Sequence, residues 1–276
     1  MRGKWKNLVA AALLLVFATA CSSIPAQREA GLSGTPAAYS GVTGTAVFFA
    51  CSNRAPERVR VTKVPQCDDT VYWDYSVAAS RASDPALFEK TIVAELTEHQ
   101  NMGGARFRFP SGIEKTVYRG SFLTANLACL DGLVKERNVR SVVNLYRGEL
   151  QSHIELAEQE VRAFESFGGR AYLQILNYTY RLDHQTKEAL FQRVAEIARL
   201  VEAAPGDVMI HCFGGMHRTG VLFGVLQKCL NHVPIDQVLD EYRCHTDWKS
   251  AERPGGASQE NETAIREFPC ELLSGK

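Results

Sequence analysis

The sequence predicts an α/β fold: a central, short, mainly parallel sheet flanked by helices, with a small N-terminal extension. Three observations predict it. Short apolar runs at Ser141–Leu145, Ala171–Leu176 and Asp207–Ile210 have the length of buried strands. Stretches with helical apolar spacing alternate with them, as in sheets whose strands are covered by helices. The last run leads into a glycine-bearing loop and a further apolar helix, which puts a site at the carboxyl ends of the strands.

The chain opens with Arg2, Lys4 and Lys6, an apolar run from Leu8 to Ala20, and Cys21. A basic head, a short apolar stretch and small residues before a cut make a bacterial export signal over residues 1–21. The run is too short to read as a membrane-spanning helix. Ala18-Thr19-Ala20-Cys21 resembles a lipobox, in which Cys21 is lipidated and becomes the mature N-terminus. An ordinary cleaved signal with a coincidental cysteine is the alternative. Ser22 resembles the residue that follows the lipidated cysteine in lipoproteins sent to an outer membrane. The expected location is therefore the cell envelope, with a lipid anchor in the outer membrane and the rest of the chain facing the periplasm; several acyl chains hold firmly where one is marginal.

Residues 22–41, rich in Ser, Ala, Gly and Pro, suit a flexible tether. Residues 42–110 read as an extension of unassigned role. Val47–Phe49 and Val59–Val61 look like strands there, with a third at Thr70–Tyr75, and Leu87–His99 reads as a helix opened by Asp84-Pro85. The catalytic part spans residues 111–270. Leu127, Leu130 and Val134 suit a helix before the Val142-Val143 strand; Ile154, Val161, Phe164 and Phe167 suit one before the Tyr172–Leu176 strand. Leu190, Val194, Ile197 and Val201 form a clear stripe before the strand reaching Cys212, and Val221, Leu222, Val225 and Leu226 bury the next helix.

The chemistry is concentrated in His211-Cys212-Phe213-Gly214-Gly215-Met216-His217-Arg218-Thr219-Gly220. A chance match to its pattern of His, Cys, Gly, Arg, Thr and Gly is on the order of 10⁻⁸ per window. A thiolate, not a thiol, is the nucleophile. Backbone N–H groups converging on one point, capped by a helix N-terminus near His217, favour an anion there. Phe213, Gly214, Gly215, Met216, His217 and Gly220 form the predicted cradle; the glycines supply backbone conformations that a Cβ resists. Arg218 grips two phosphate oxygens with its planar fork. Thr219 offers its hydroxyl to the departing sulfur, and His211 bonds the loop backbone.

At these residues the sequence resembles the protein tyrosine phosphatase superfamily, in its dual-specificity branch, over roughly Lys115 to Trp248. Thr116–Ser121 looks like the strand that opens many small bacterial and atypical members. Asp240-Glu241-Tyr242 downstream of the loop is similar to plant and fungal atypical ones. The resemblance implies the cysteine-dependent phosphatase fold, a covalent cysteinyl-phosphate mechanism, and no metal or other cofactor. It also implies a general acid on an upstream loop. Asp183, 29 positions before Cys212, is the one carboxylate between Gly168 and Lys187. It protonates the leaving group, then activates water. The other reading makes Asp183 the cap of a helix starting near Gln185. Asp131 sits in a helical pattern with Lys135, and Asp207 at the wrong end of its strand. Arg147 and Glu149 read as solvated loop contacts.

Lys plus Arg and Asp plus Glu balance at 31 each, and losing the signal leaves a slight acidic excess. That argues against nucleic acid as a partner. The expected partners are a phosphorylated protein or small phosphomonoester, and the membrane through the lipid. An inositol phosphate or phosphoinositide is the alternative substrate. With Phe213 and Met216 in the loop and His217 its one titratable cation beside Arg218, lower-charge substrates are favoured. A sulfurtransferase and a non-catalytic phosphate-binding surface protein are further readings. Of eight cysteines, Cys21 and Cys212 have assigned roles, which leaves an even number for disulfides in an oxidising compartment. Cys51–Cys67 and Cys244–Cys270 are the expected pairs, with Cys129 and Cys229 as plain core residues.

Overall fold

Strands β1 (Gly103–Arg108), β2 (Glu114–Gly120), β3 (Val139–Asn144), β4 (Ala171–Gln174) and β5 (Asp207–His211) form one sheet in the order β1-β2-β5-β3-β4. β1 and β2 make an antiparallel pair. The β2–β5, β5–β3 and β3–β4 pairs are parallel. The structure, a computed structural model, describes residues 48–69, 99–124, 126–146, 151–175, 185–246 and 257–274. All of these fall within one unit, Thr45–Lys276.

Helices α1 (Leu127–Glu136), α2 (Gln151–Ser166), α3 (Lys187–Ala203), α4 (His217–Cys229), α5 (Ile235–Thr246) and α6 (Ala257–Glu267) complete the described elements, with short 3₁₀ turns. Successive strand residues face opposite sides of a sheet. Tyr118, Val142 and Met209 therefore pack on one side with Leu130, Leu133 and Val134 of α1 and Phe164 of α2. Val117, Val143, Val208 and Ile210 pack on the other with the Leu190, Val194, Ile197 and Val201 stripe of α3. α4 is buried from Thr219 to Gln227 without a polar face, as a helix at the centre of a core must be. The predicted α/β fold is the fold observed.

Several expectations need correction. Leu127 is 42% exposed, and α1 instead turns Cys129, Leu130, Leu133 and Val134 inward. The expected strands at residues 47–49 and 59–61 give only the isolated bridges Phe48–Thr62 and Arg60–Ala105, beside turns at Cys51–Arg54 and Glu57–Val59. Pro56 caps the second turn and has no N–H for a ladder. β1, from a stretch that gave no strand signal, is the edge strand; Ala105 and Phe107 point inward and Arg106 and Arg108 outward. The signal, the tether, Cys21, Thr70–Tyr75 and all but His99 of the expected Leu87–His99 helix lie outside the described residues.

The cysteine pairing also departs from expectation. The bonds are Cys51–Cys244, Cys67–Cys129 and Cys229–Cys270. Proximity along the chain is a poor guide here, because the fold sets the turn at Cys51 against α5 and the residues near Cys67 against α1. Two cross-links therefore tie residues 48–69 to the catalytic part, and Cys129 and Cys229 are bonded rather than free.

Candidate active site

β5 lies between β2 and β3, so its carboxyl end delivers Cys212 to the middle of the sheet edge. The loop that follows is held by its carbonyls. His211 O accepts from Leu145 N (2.7 Å), Phe213 O from Phe122 N (3.1 Å) and Met216 O from Gly220 N (2.8 Å). Cys212 O accepts from His211 Nδ1 (3.1 Å), Gly214 O from Asn101 Nδ2 (3.0 Å) and Gly215 O from Arg119 Nη2 (2.7 Å). In a trans peptide the following N–H points opposite to the carbonyl, and there is no cis bond among the described residues. Carbonyls drawn outward therefore turn the amides of Phe213, Gly214, Gly215 and Met216 inward. The first N–H groups of α4, which have no partner within the helix, join them. The result is a nest of amides with the form of an anion site, beside a buried thiol that is free of any disulfide.

The glycines divide their work. Gly215 has φ +69°, and a Cβ there would sit 2.4 Å from the Gly120 carbonyl at the end of β2. Gly214 and Gly220 do not take positive φ. Gly220 lies inside α4, where a Cβ would meet the Tyr242 ring at 2.7 Å.

Beneath the loop sits a buried polar layer. Arg119 of β2 is 1% exposed, its guanidinium 5.4 Å from the Phe223 ring centroid. Burial lowers its pKa to about 10, opposed by the charges of Glu241 and Cys212. Burial raises the Glu241 carboxyl to about 7, against the pull of Arg119. On the other side, His211 Nε2 stands 2.9 Å from Glu160 Oε2, both side chains fully enclosed. Glu160 also accepts from Leu123 N (2.8 Å) and Tyr172 Oη (2.6 Å). Burial alone pushes this carboxyl up, but His211 and the two donors more than offset it and hold it below the ordinary value.

At the mouth, the Arg218 guanidinium lies 4.7 Å from the centroid of the Tyr146 ring. Tyr146, His153 and Phe213 form an aromatic wall, with Phe213 4.5 Å from His153 and 5.7 Å from Tyr146. Tyr146 Oη is 3.3 Å from His153 Nδ1. Met216 is buried with Phe122 and Ala157. His217 Nδ1 faces Tyr242 Oη (3.2 Å) and Asn261 Nδ2 (3.1 Å). Burial and the Arg218 charge lower its pKa to about 4, so it is neutral at physiological pH and adds no charge to the loop. Thr219 Oγ1 is enclosed without a hydrogen-bond partner among the described residues, and no bond to the Cys212 sulfur is present.

Asp183 lies outside the described residues. The capping role that competes for it is taken: α3 begins at Lys187, and Thr186 accepts from Ala189 N at 3.2 Å. Asp131 pairs with Lys135 at 2.7 Å and Asp207 accepts from Thr116 N, both away from the loop. Arg147 and Glu149 are also outside the described residues. Among the described residues no group of three His, Cys, Asp or Glu is placed to hold a metal.

Sequence reasoning missed Asn101, Arg119, Tyr146, His153 and Glu160. Two carried a signal. Arg119 interrupts the apolar Val117-Tyr118 strand, and Glu160 occupies the inward stripe of α2 between Ala157 and Phe164, each a charge at a position that should be apolar.

The family model for the tyrosine phosphatase family matches residues 117–269. Solved structures that resemble the chain include P. aeruginosa TpbA in complex with pTyr, 17% identical, covering 57% of this chain and 83% of that one at a TM-score of 0.41. The core catalytic domain of the PP-IP phosphatase SIW14 from S. cerevisiae is 24% identical and covers 58% and 84% at 0.40. Trypanosoma brucei TbPTP1 is 14% identical and covers 64% and 78% at 0.34. No curated protein sequence matches the chain.

Proposed function

The chain belongs to the tyrosine phosphatase family, and from that membership we propose that it hydrolyses aryl phosphomonoesters of the phosphotyrosine type through a phosphocysteine on Cys212. The observation that carries this reading is that each carbonyl of residues 211–216 is held by a hydrogen bond, which turns the amides that follow them away from those donors, on the loop that carries Cys212.

The Cys212 thiolate attacks phosphorus, and the bond to the ester oxygen breaks as Asp183 donates its proton to that oxygen. Water then attacks the phosphocysteine. Asp183, now a carboxylate, takes the water's proton, the S–P bond breaks, and inorganic phosphate leaves. Thr219 Oγ–H, enclosed and unsatisfied, is available to the sulfur at that second departure. Arg218 holds two phosphoryl oxygens, with Tyr146 supporting its guanidinium face.

Two features favour an aryl ester of modest charge. The wall of Tyr146, His153 and Phe213 offers rings to a phenyl group. Arg218 is the one cationic side chain in the loop, since His217 is held neutral. The export reading is supported by three disulfides among the described residues, with Cys212 alone left free. Such a framework persists in an oxidising compartment. Cys21 is the lipid attachment point in this reading, with residues 22–41 as the tether.

A phosphate-release panel on the protein lacking its first 21 residues tests the substrate assignment. Phosphotyrosine peptides should be turned over well above inositol hexakisphosphate and inositol pyrophosphates. The reverse order would make this an inositol phosphate phosphatase, and thiosulfate–cyanide transfer without phosphate release would make it a sulfurtransferase. Labelled palmitate entering wild type but not Cys21→Ser would establish the anchor; no label in either would remove it.

A further inference from the structure

Asn101 has φ +51°, a left-handed conformation that a non-glycine residue keeps only where its surroundings fix it. Its side chain is fully buried. The carboxamide nitrogen donates to Gly214 O and to His245 O, each at 3.0 Å, and the carboxamide oxygen lies 2.7 Å from His245 Nδ1. Both carbonyls can only accept, so the amide cannot be flipped. Its oxygen can only accept too, so His245 carries its proton on Nδ1. Burial, with the charges of Arg119 and Arg54, holds His245 well below the usual imidazole range, which keeps this neutral tautomer.

The segment that carries Asn101 precedes the stretch matched by the family. It is docked independently of Asn101: Gln100 O accepts from Ser121 N (2.8 Å), and Gln100 Oε1 accepts from Asp68 N (2.9 Å) and Asn126 Nδ2 (3.0 Å). The partner side is pinned as well. Cys244, next to His245, is bonded to Cys51, and Ser52 Oγ accepts from Gly104 N.

We propose that Asn101 is a positioning residue of the phosphate-binding loop, holding the Gly214 carbonyl outward so that the Gly215 amide faces the phosphoryl oxygens. Gly215 O and Phe213 O on either side are held by Arg119 of β2 and by Phe122, two residues beyond that strand. Gly214 O, at the centre of the loop, depends on the N-terminal segment. The N-terminal extension thereby completes the oxyanion site. This role rests on the phosphatase reading above. It adds that transition-state charge is stabilised by an amide whose direction Asn101 sets.

The test uses Asn101→Gly, which accepts positive φ without strain and removes the whole carboxamide, donor and acceptor alike, and Asn101→Asp, which keeps the acceptor for His245 but sets an oxygen against Gly214 O. Vanadate, which mimics the five-coordinate transition state, and phosphate, which does not, serve as inhibitors. Both variants should bind vanadate about 10-fold or more weakly and lose kcat in step, while phosphate affinity and KM stay within about 3-fold. Unchanged kcat and vanadate affinity in a folded variant would overturn the proposal. So would equal losses for both inhibitors, which mark a general weakening of anion binding rather than lost transition-state aim. In wild type, the Asn101 carboxamide protons should shift when vanadate binds; no shift overturns the proposal even if neither variant folds. A wild type that neither releases phosphate nor binds vanadate would instead refute the phosphatase reading.

Discussion

Arg119 Nη2 donates to Gly215 O across 2.7 Å, joining the end of β2 to the centre of the loop that follows Cys212. The contact has two consequences: it turns the Met216 amide inward, and it buries a cation whose field reaches Cys212.

Replacing Arg119 by Met removes charge and donor while keeping most of the bulk. A hydrogen bond to a charged group is worth about 1.5–3 kcal/mol, so kcat/KM on an aryl phosphate should fall about 10- to 100-fold. Arg119→Lys should fall in between, since Lys keeps the charge but loses the fork. Steady-state kinetics decides, and an unaffected Met variant would reduce Arg119 to packing.

The Glu160–His211 pair predicts acid sensitivity. The folded-state pKa of Glu160 is depressed, so its stabilisation is complete above the ordinary carboxylate value and is lost as pH falls through the folded value. Glu160→Gln should cost about 1.5–3 kcal/mol at neutral pH, because Leu123 N and Tyr172 Oη lose their hydrogen bonds to a charged carboxylate. The gap from wild type should shrink as pH drops below roughly 4. Denaturant midpoints across that range give the answer; a gap independent of pH would contradict a charged Glu160.

Tyr146 predicts a difference between shape and polarity. Tyr146→Phe keeps the face beneath Arg218 and should retain activity within a few-fold. Tyr146→Ala loses a cation–π contact of about 0.5–2 kcal/mol, so kcat/KM should fall about 2- to 30-fold. Equal values for both variants would separate Arg218 from this ring.

Much of this site was readable along the chain, for a physical reason. Cys212, Gly215 and Arg218 are neighbours in sequence because one loop and one helix end carry the thiol, the turn and the guanidinium together. The stripes of α3 and α4 were equally plain, since a helix against a sheet must show one apolar face. What stayed hidden depends on the fold. Asn101 reaches Gly214 from 113 positions away, and Glu160 reaches His211 from a separate helix. The disulfides belong with them, as Cys51 and Cys244 are 193 positions apart. The α1 stripe was right at Leu130 and Val134 and failed only at Leu127, which is exposed in the first turn of the helix.

Asp183 predicts a leaving-group effect. Asp183→Asn should slow turnover of alkyl and unactivated aryl phosphates about 10²- to 10⁴-fold. Activated aryl phosphates, whose leaving oxygen needs little protonation, should slow only slightly. Equal losses on both substrates would assign the acid role elsewhere. With Thr186 capping α3, capping is no longer the alternative role for this residue.

Acid-quenching the enzyme during steady hydrolysis of an aryl phosphate, followed by peptide mass spectrometry, reaches the reaction itself. The account predicts a phosphoryl group on the peptide containing Cys212, absent from Cys212→Ser. Turnover that continues with no adduct on Cys212, or that survives in the serine variant, would contradict it.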